Sequence, residues 1–545
     1  MKFYMIYPNQ FAIGTKPIGI SMLAAVLKRA GHTFRLFDTT QFSVDTALNN
    51  NDIGTSRLEY RKPTNSECLP PKQEVTSQEL VEILSEDIRS FGPEMIGLSA
   101  LTDDYALGRL MLFHARTMFP RIPTIVGGIH ATVDPDGVIG EPCVDAVCRG
   151  EGEETLLEIA DRFDRGRSWN DIRNLWVKHN GRVIKNELRP LISSLDGLPY
   201  LDWSIYPASA FFKPYEGRVY RYGDFLLARG CLYKCSYCIN VHLQGMYGTE
   251  GFHRDKGPER AIAEMKYLKK EWQLEFVKFW DETFLMMSES RLEMLAEAYP
   301  AEVGLPFIIE TTAESINPRT VKLLQKMGCV SASVGLETGD ADMRQKVLVK
   351  KTADAKYERA FALLRQHNIR SSSFNMLALP FETKEGILST VSLNKKFKTD
   401  AQSVGTFFPY KGTPIRQQCI EWGLLDPEEQ DRWEREYAVN RISLTRGQSI
   451  LKNPHLTPEE YLHLRDHFCM YVELPEALWP LIDLCRGDGE SVRQLRATLC
   501  EIAYRKRFEG LELSDNGAGG PQPVVEVDPA GQARLPSGWS SSCAR

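Results

Sequence analysis

Three cysteines lie close together near the middle of the chain, at Cys231, Cys235 and Cys238. Their Cys-x3-Cys-x2-Cys spacing predicts one short loop whose thiolates bind three irons of a cubic iron–sulfur cluster and leave the fourth iron open. A cluster that only carries electrons usually has four cysteine ligands. An open coordination position can hold a substrate or cofactor, as it does in catalytic zinc sites. The spacing therefore predicts a chemically active cluster, and Gly230 before the first ligand is expected to let the backbone approach it.

A plain core role and a zinc site are the two alternatives for these cysteines. The chain has 12 Cys in 545 residues, and cysteine is otherwise a common small residue of protein cores. A zinc site would need a fourth Cys or His ligand nearby, and the nearest histidines, His242 and His253, lack a paired-ligand spacing. We therefore expect the iron–sulfur cluster.

The composition is that of a globular protein long enough for several domains, with 43% hydrophobic and 25% charged residues. A net charge of -6 gives no reason to expect nucleic-acid binding, so a small-molecule or peptide substrate is the more natural expectation. The first residues do not resemble a secretion signal, and no apolar stretch is long enough for a membrane span. Scattered cysteines fit a reducing compartment, so we expect a cytoplasmic protein.

The first part of the chain alternates between strand and helix patterns, which predicts an α/β fold with a doubly wound, Rossmann-like parallel sheet. The polar stretch from about residue 41 to 79 is expected to be a surface insertion. The predicted strands are Lys2–Tyr7, Thr33–Phe37, Met95–Ser99 and Thr124–Val126, and the predicted helices are Gly19–Ala30 and Ala106–Met118.

A second alternating unit runs from residue 216 to about 430, after a proline-containing connector. Six repeats predict a partial (βα)6 barrel of the TIM type, with ligands at the carboxyl ends of its strands. Residues 431–513 are predicted to form a helical C-terminal region, and residues 514–545 a disordered tail. The predicted barrel strands are Phe225–Ala228, Phe276–Trp280, Phe307–Thr311, Ala332–Leu336, Ser373–Leu379 and Ser403–Phe408.

With its cysteine loop after the first barrel strand, the chain resembles the radical S-adenosylmethionine (SAM) enzymes that carry an N-terminal cobalamin-binding domain. The resemblance covers roughly residues 1–430. It implies a cobalamin-binding domain with its connector over residues 1–195 and a radical SAM core over residues 216–430. In that family the open iron of a 4Fe-4S cluster chelates SAM, and the reduced cluster releases a 5'-deoxyadenosyl radical. An electron donor such as flavodoxin or ferredoxin is implied as a partner.

Several motifs carry this resemblance in the barrel. The segment Phe279–Phe284 resembles the family's Phe-x-Asp-Asp-x-Phe, which implies that Asp281 and Glu282 accept hydrogen bonds from the SAM ammonium group. Glu337 lies in a stretch that resembles Gly-x-Glu-Ser/Thr-Gly and would face SAM. Tyr237 matches the aromatic residue beside the adenine. The acidic pair could also be solvated, and the tyrosine could belong to the core.

Two later segments extend the resemblance, one of them with a departure. The stretch Met376–Thr383 resembles the fifth-strand pattern Gly-x-Pro-Gly-Glu-Thr, but Ala378 and Phe381 replace its two glycines. That departure leaves the local backbone path open. The stretch Phe408–Pro414 resembles the Pro-x-x-Gly-Thr turn that follows the sixth strand.

The cobalamin half of the resemblance rests on loops after the third and fourth strands of the first sheet. Small hydroxyl residues and glycines there would let a long nucleotide tail enter the crevice at the strand ends. The usual Asp-x-His-x-x-Gly after the first strand is missing, so no histidine from that loop would cap the cobalt. The two glycines could instead make a tight turn, and the histidine could be structural. The candidate cobalamin contacts are Ser99, Leu101, Thr102, Gly127, Gly128 and His130.

The resemblance implies a cobalamin-dependent methyltransferase that acts on an unactivated carbon. In that mechanism cobalt takes a methyl group from one SAM, a second SAM yields the radical, and the substrate radical captures the methyl group. Three alternatives are open: a cyclase, oxidase or rearrangement enzyme without net methyl transfer, a methylthiolating enzyme, and a non-catalytic corrinoid and iron–sulfur sensor. Methylthiolation would need a second cysteine triad, and Cys68, Cys143 and Cys148 do not have that spacing.

Overall fold

Two seven-stranded sheets with helices against their faces form most of the molecule, and a helical region follows them. The computed structural model describes residues 1–9, 15–44, 57–59, 61–69, 71–436, 447–513, 526–527 and 533–534. Over these residues, we find no helix with the length and apolar character that crossing a membrane requires.

The first sheet confirms the predicted doubly wound fold. Its order is β2-β1-β5-β6-β7-β8-β9, in which the first five strands run parallel, β8 is antiparallel to β7, and β9 is antiparallel to β8. Strands β1 to β9 are Lys2–Tyr7, Thr33–Asp38, Phe42–Val44, Gln73–Val75, Met95–Ser99, Thr124–Gly127, Ala146–Cys148, Leu175–His179 and Arg182–Lys185. The helices of this part are Ile18–Arg29, Ser77–Phe91, Tyr105–Met118, Ile129–Val133, Pro135–Gly140 and Glu153–Asp164.

The predicted surface insertion contains more regular structure than expected in the part that is described; residues 45–56 lie outside it. Strands β3 and β4 pair with each other there. The helix Ser77–Phe91 begins at a capping box, in which Thr76 and Glu79 satisfy each other's backbone N–H groups. Its buried face includes Leu80 and Leu84. The sequence did not predict the start of this helix, because residues that cap helices, such as Thr76, also favour turns.

The second sheet confirms the predicted partial barrel. Its order is β10-β11-β14-β15-β16-β17-β18, and the six strands from β11 onward are parallel. Strands β10 to β18 are Phe212–Tyr215, Arg218–Phe225, Ala228–Arg229, Arg254–Asp255, Phe276–Phe279, Phe307–Thr311, Cys329–Glu337, Arg370–Leu377 and Ala401–Thr406. The helices of this part are Ile239–Tyr247, Pro258–Trp272, Glu289–Glu302, Pro318–Met327, Asp354–Gln366, Lys384–Phe397 and Pro414–Glu421.

The first barrel strand lies earlier than predicted. The apolar run Phe225–Ala228 is predicted to be this strand, but β11 ends at Phe225 and the run leads from the sheet into the cysteine loop. Charged residues interrupt β11 at Arg218, Arg221 and Asp224, so the strand lacks the apolar pattern of a buried strand. One face of this strand lines the inside of the barrel, so polar residues on that face are accessible to a ligand in the barrel.

The C-terminal region is helical, as predicted. Its helices pack around Leu464, Phe468 and Tyr471, which belong to one buried cluster together with Val391 of the preceding barrel helix. The helices are Pro427–Glu436, Pro458–Asp466, Phe468–Glu473, Trp479–Asp483 and Glu490–Glu509. The tail prediction for residues 514–545 concerns positions outside the described residues, apart from the short paired strands β19, Glu526–Val527, and β20, Ala533–Arg534.

Candidate active site

The three cysteines lie on an excursion of the chain between two short paired strands, β12 and β13. In this ladder, which we call the neck, Arg229 pairs with Arg254. Gly230 follows the neck with a φ of 87°, and a Cβ there would lie 2.3 Å from the carbonyl oxygen of Phe252. Glycine is therefore required by the turn and by the opposite backbone. These two constraints act whether or not the backbone also approaches a cluster, which stays a prediction.

The surroundings of the cysteines combine burial with weak polar contacts. Cys231 is buried, and the Oγ1 atom of Thr283 lies 3.9 Å from its sulfur. Cys238 immediately precedes the helix Ile239–Tyr247, and the Nδ2 group of Asn240 lies 3.6 Å from its sulfur. Burial raises the pKa of the free Cys235 thiol to about 11. A thiolate at this position therefore needs a compensating positive charge, such as a bound metal.

The spacing of the sulfur atoms separates the two metal hypotheses. One tetrahedral zinc, with bonds of about 2.3 Å to sulfur, holds its thiolates about 3.8 Å apart. Over the residues that the structure describes, the one group of three ligand atoms within 4.8 Å of one another is His130, Asp134 and Glu434, and the cysteines do not form such a group. The three thiols are thus spread more widely than a mononuclear ion requires. The sulfur positions therefore do not form a ready-made site for a single zinc ion.

The two acidic residues after β14 have different surroundings. The Oδ1 atom of Asp281 accepts backbone N–H bonds from Leu227 at 3.0 Å and from Ala228 at 2.6 Å. Asp281 is buried, and this burial raises its pKa to about 7. Glu282 is exposed. Asp281 therefore fixes the approach to the neck, and Glu282 is the acidic group of the pair that a ligand can reach.

Glu337 stands at the centre of a second polar group. It has a φ of 67°, in the left-handed region, and the register of β16 with β17 shifts between Gly335 and Glu337. Its Oε1 atom accepts hydrogen bonds from the Tyr237 hydroxyl at 3.0 Å and from the Lys350 Nζ group at 2.8 Å. A Cβ at Gly335 would lie 2.1 Å from that same oxygen. Strained backbone of this kind is typical of functional sites.

Lys350 was not among the predicted site residues. It lies in the segment Val349-Lys350-Lys351, where a pair of lysines is indistinguishable by sequence from an ordinary solvated surface. The side chain is nevertheless 10% exposed and pairs with Glu337. The structure thus places a buried positive charge beside Glu337 and Tyr237, close to the cysteine loop.

The two positions that lack the expected glycines keep the backbone path that glycine would favour. Ala378 has a φ of 62° and Phe381 a φ of 57°, both in the left-handed region. This conformation costs roughly 1–2 kcal/mol per residue for side chains with a Cβ. Glu382, which follows, is buried and accepts the backbone N–H of Leu379 at 3.2 Å. Replacing the two glycines therefore adds strain to the turn, but the backbone keeps the left-handed conformation that glycine favours.

The candidate cobalamin residues lie at the carboxyl edge of the first sheet. Gly128 has a φ of 93°, and a Cβ there would lie 2.7 Å from the carbonyl oxygen of Ala100, so the loops after β5 and β6 touch. At this edge Leu101 is 53% exposed and Ser99 is half-buried. A Cβ at Gly127 would fit without a clash, since its nearest neighbour would lie 3.8 Å away. A close-lying backbone beside an exposed apolar side chain fits a large ligand at this edge.

Thr102 and His130 lie beneath that edge instead of on it. Both are buried, and the Nδ1 atom of His130 lies 3.1 Å from the Thr102 hydroxyl. The His130 ring packs on Tyr105 with centroids 4.0 Å apart, and burial lowers its pKa, which keeps the imidazole neutral. The structure therefore does not bring His130 to the surface where a corrin contact was expected. These buried contacts are those of a structural histidine, which is the alternative stated for this residue.

The carboxyl edge of the first sheet faces the barrel. Lys411, in the turn after β18, lies 2.7 Å from Asp134 of the first unit, and Tyr410 donates to Asp103 at 3.0 Å. On the other side of the interface, Arg229 and Arg254 of the neck both pair with Glu151, at 2.9 Å each. The two candidate ligand edges are thus held against each other.

Two family models match segments of this chain. Residues 225–393 match the Radical SAM superfamily, and residues 69–160 match the B12 binding domain. The chain is 24% identical over 428 residues to the uncharacterized methyltransferase PH0819 of Pyrococcus horikoshii, a match that covers 77% of this chain and 87% of the relative. It is 26% identical over 551 residues to an anaerobic magnesium-protoporphyrin IX monomethyl ester cyclase of Cereibacter sphaeroides, covering 97% and 79%.

Two solved structures share the fold. The radical SAM methyltransferase TsrM of Kitasatospora setae, with cobalamin and a [4Fe-4S] cluster bound, superposes with a TM-score of 0.59 and 16% identity, covering 94% of this chain and 99% of that chain. The cobalamin-dependent radical enzyme OxsB, with aqua-cobalamin and SAM bound, gives a TM-score of 0.60 at 13% identity, covering 92% and 71%. The chain thus carries a segment that matches the Radical SAM superfamily and, N-terminal to it, a segment that matches the B12 binding domain.

Proposed function

We propose that the protein is a cobalamin-dependent radical SAM methyltransferase that methylates an unactivated carbon of a small molecule. The observation that carries this proposal is the contact between the two ligand edges, in which Lys411 and Tyr410 of the barrel bind Asp134 and Asp103 of the first unit. A methyl donor and a radical source must act on one substrate, and facing edges provide a shared space for all three. Relatives named as methyltransferases support the proposal.

When bound, the cluster and SAM supply a 5'-deoxyadenosyl radical and cobalamin supplies the methyl group. Cys231, Cys235 and Cys238 would hold the cluster as thiolates. Of the acidic pair, the exposed Glu282 would accept the SAM ammonium group, while the buried Asp281 would hold the backbone of the approach in place.

Glu337 would act on SAM through a fixed network. The Tyr237 hydroxyl and the Lys350 ammonium group both donate to its carboxylate, so its orientation is set before any ligand arrives. Because Lys350 neutralises this carboxylate, Glu337 would serve as an oriented hydrogen-bond acceptor with little net charge. Such preorganisation avoids reorientation when the ligand binds.

On the opposite edge, Ser99, Leu101, Gly127 and Gly128 would seat cobalamin. The glycines give close backbone approach, and the exposed Leu101 gives an apolar surface. Thr102 and His130 would support this edge from below. Electrons would come from a flavodoxin or ferredoxin, and an open cluster requires a reducing, cytoplasmic environment.

The test is an anaerobic assay of the reconstituted protein with cobalamin, a reductant and SAM labelled in its methyl group. We expect 5'-deoxyadenosine, S-adenosylhomocysteine and one labelled metabolite from a cell extract by mass spectrometry. Cys235→Ser is expected to remove all three, whereas Cys329→Ser, at a buried cysteine of β16, should not. Absence of 5'-deoxyadenosine from the fully loaded protein would contradict the proposal and favour a sensor.

A second candidate function is ring formation or oxidation without methyl transfer. It is favoured by the cyclase of Cereibacter sphaeroides, whose similarity extends over 97% of this chain. The same assay distinguishes the two functions. A product that lacks the label and has lost hydrogens, formed together with 5'-deoxyadenosine, would identify the cyclase type of reaction.

A further inference from the structure

The strands of the barrel bury one face against the helices and turn the other toward the lumen. Val277 and Phe279 of β14 belong to the buried core between sheet and helices. Because successive side chains on a strand point to opposite faces, Lys278 and Trp280 point into the lumen. Glu310 of the neighbouring strand, which pairs with Lys278, points the same way.

Charged side chains gather on this wall of the lumen, and their signs do not balance. The Lys213 ammonium group lies 2.7 Å from Asp224, and the Lys16 ammonium group lies 2.9 Å from the same carboxylate. Lys278 pairs with Glu310. Three cations therefore share two carboxylates, and the side chains of Lys16 and Asp224 are fully buried. Lys16 lies over the rings of Trp203 and Phe211 in the core, so Lys213 is the cation of this shared pair that faces the lumen. Because Lys16 and Lys213 share one carboxylate, an additional anion beside Lys213 would be stabilising.

Trp280 provides a flat surface beside these cations. The residue is 39% exposed, and its indole Nε1 donates to Asp224 at 2.8 Å. The ammonium groups of Lys278 and Lys213 lie 4.7 and 5.6 Å from its ring centroid. These distances are within the range of cation–π contacts. Trp280 also directly precedes Asp281, so this surface adjoins the approach to the cysteine loop.

The rest of the lumen is closed below, and its far side carries half-buried serines together with Phe374 and Met376, which share a face of β17 with Ser372. Aromatic rings in mutual contact fill its floor; they belong to Tyr215, Tyr220, Tyr222 and Phe276. Across the lumen, on the strands facing this wall, Ser333, Ser372 and Ser403 are half-buried. We find no side-chain hydrogen bond from these serines to any other residue in the described part of the chain. The end of the lumen opposite this aromatic floor faces the two candidate ligand edges.

We propose that the barrel lumen binds an oxyanion of the substrate, a carboxylate or a phosphate, between Lys213 and Lys278 and against Trp280. The inference rests on the proposed function for the direction in which the substrate enters, and it names the substrate class as a small, negatively charged molecule. The serine hydroxyls opposite would bond its other polar groups. The anion supplies the charge that the three cations lack.

The test uses the full chain with its cluster reconstituted, and inorganic phosphate and succinate as probes at constant ionic strength against chloride. Tryptophan fluorescence is expected to change saturably with one or both anions, and Trp280→Phe should abolish the change. Lys213→Met and Lys278→Met should each weaken binding about tenfold, as the loss of one charge-assisted hydrogen bond predicts. Lys185→Met is the matched control, since Lys185 lies 4.0 Å over the ring of Trp176, in the other sheet.

Glu310→Gln keeps the proposal testable if the lysine variants fold poorly. It removes a competing carboxylate and is expected to tighten anion binding severalfold, which a misfolded protein cannot do. A fluorescence change with phosphate alone would identify a phosphate as the bound oxyanion, and a change with succinate alone would identify a carboxylate. Binding that is absent in the wild type, or unchanged in both lysine variants and in Glu310→Gln, would overturn the inference. Such a failure leaves formation of 5'-deoxyadenosine from SAM unaffected, so it is distinguishable from failure of the proposed function.

Discussion

The guanidinium group of Arg229 lies 2.9 Å from the carboxylate of Glu151, although the two residues are 78 positions apart in the chain. Glu151 also binds Arg254, the cross-strand partner of Arg229, at 2.9 Å. Glu151 thus pairs with both arginines of the neck that carries the cysteine loop, and Glu153 pairs with Arg229 as well. These carboxylates offset two like charges that face each other across a single rung.

We predict that Glu151→Ala destabilises the protein by about 3 kcal/mol, because it removes the carboxylate partner of the largely buried Arg254 and leaves Arg229 with Glu153 alone. Chemical denaturation of the apoprotein measures this effect. Glu154→Ala is the control, since Glu154 is 56% exposed and its ion pair with Arg189 is long, at 3.5 Å. A loss of stability equal to that of the control would contradict the structural role of Glu151.

Ala378→Gly should stabilise the protein by up to about 1 kcal/mol, because it relieves the left-handed conformation of Ala378. The matched substitution Ala360→Gly, inside the helix Asp354–Gln366, should instead destabilise it by about 1 kcal/mol or more. Thermal unfolding of the two variants side by side gives the comparison. Equal losses in both variants would show that the turn at Ala378 is not strained.

Glu282→Gln is expected to weaken SAM binding to the cluster-loaded protein by about tenfold, through the loss of one charge-assisted hydrogen bond. Asp281→Asn should weaken it much less, because the Asp281 carboxylate is occupied by backbone N–H groups. Equilibrium dialysis with labelled SAM measures both affinities. The reverse order of effects would assign the ammonium group to Asp281.

Asp281 should also give a pH dependence of stability. Its pKa is about 7 in the fold, above the ordinary 3.8, because it is buried. Between these two values the native state holds a proton that the unfolded state has released, so this residue lowers the free energy of unfolding as pH rises from about 4 to 7. Asp281→Asn removes this contribution. Its stability relative to the wild type should therefore be higher at pH 8 than at pH 5 in urea titrations of the apoprotein.

The sequence was informative where chemistry and periodicity coincide. The spacing of Cys231, Cys235 and Cys238 predicted the loop, and apolar segments predicted most strands of both sheets. The first barrel strand was misplaced because Arg218, Arg221 and Asp224 interrupt its apolar residues, so it does not have the pattern of a buried strand. Asp224 thus contributes both to the misplaced strand, by interrupting its apolar residues, and to the proposed anion site, by pairing with Lys213.

Partners distant in sequence could not be predicted. Nothing local marks Lys350 as the partner of Glu337, or Glu151 as the partner of Arg229, since a charged residue has the same composition on a solvated surface as in a buried pair. The left-handed turn at Phe381 is another example. The motif predicted glycine there, and only the three-dimensional structure shows that the chain keeps the turn without it.

The closed neck has a consequence for the architecture as a whole. Because the ladder of β12 and β13 joins the two ends of residues 230–253, the proposed cluster-binding segment is a ring whose base is closed by backbone pairing of the protein itself. That base rests on a carboxylate from the other half of the polypeptide. A truncated barrel, expressed without its amino-terminal partner, would present the cysteines on an unsupported ring, so the two halves form one inseparable unit for cofactor assembly.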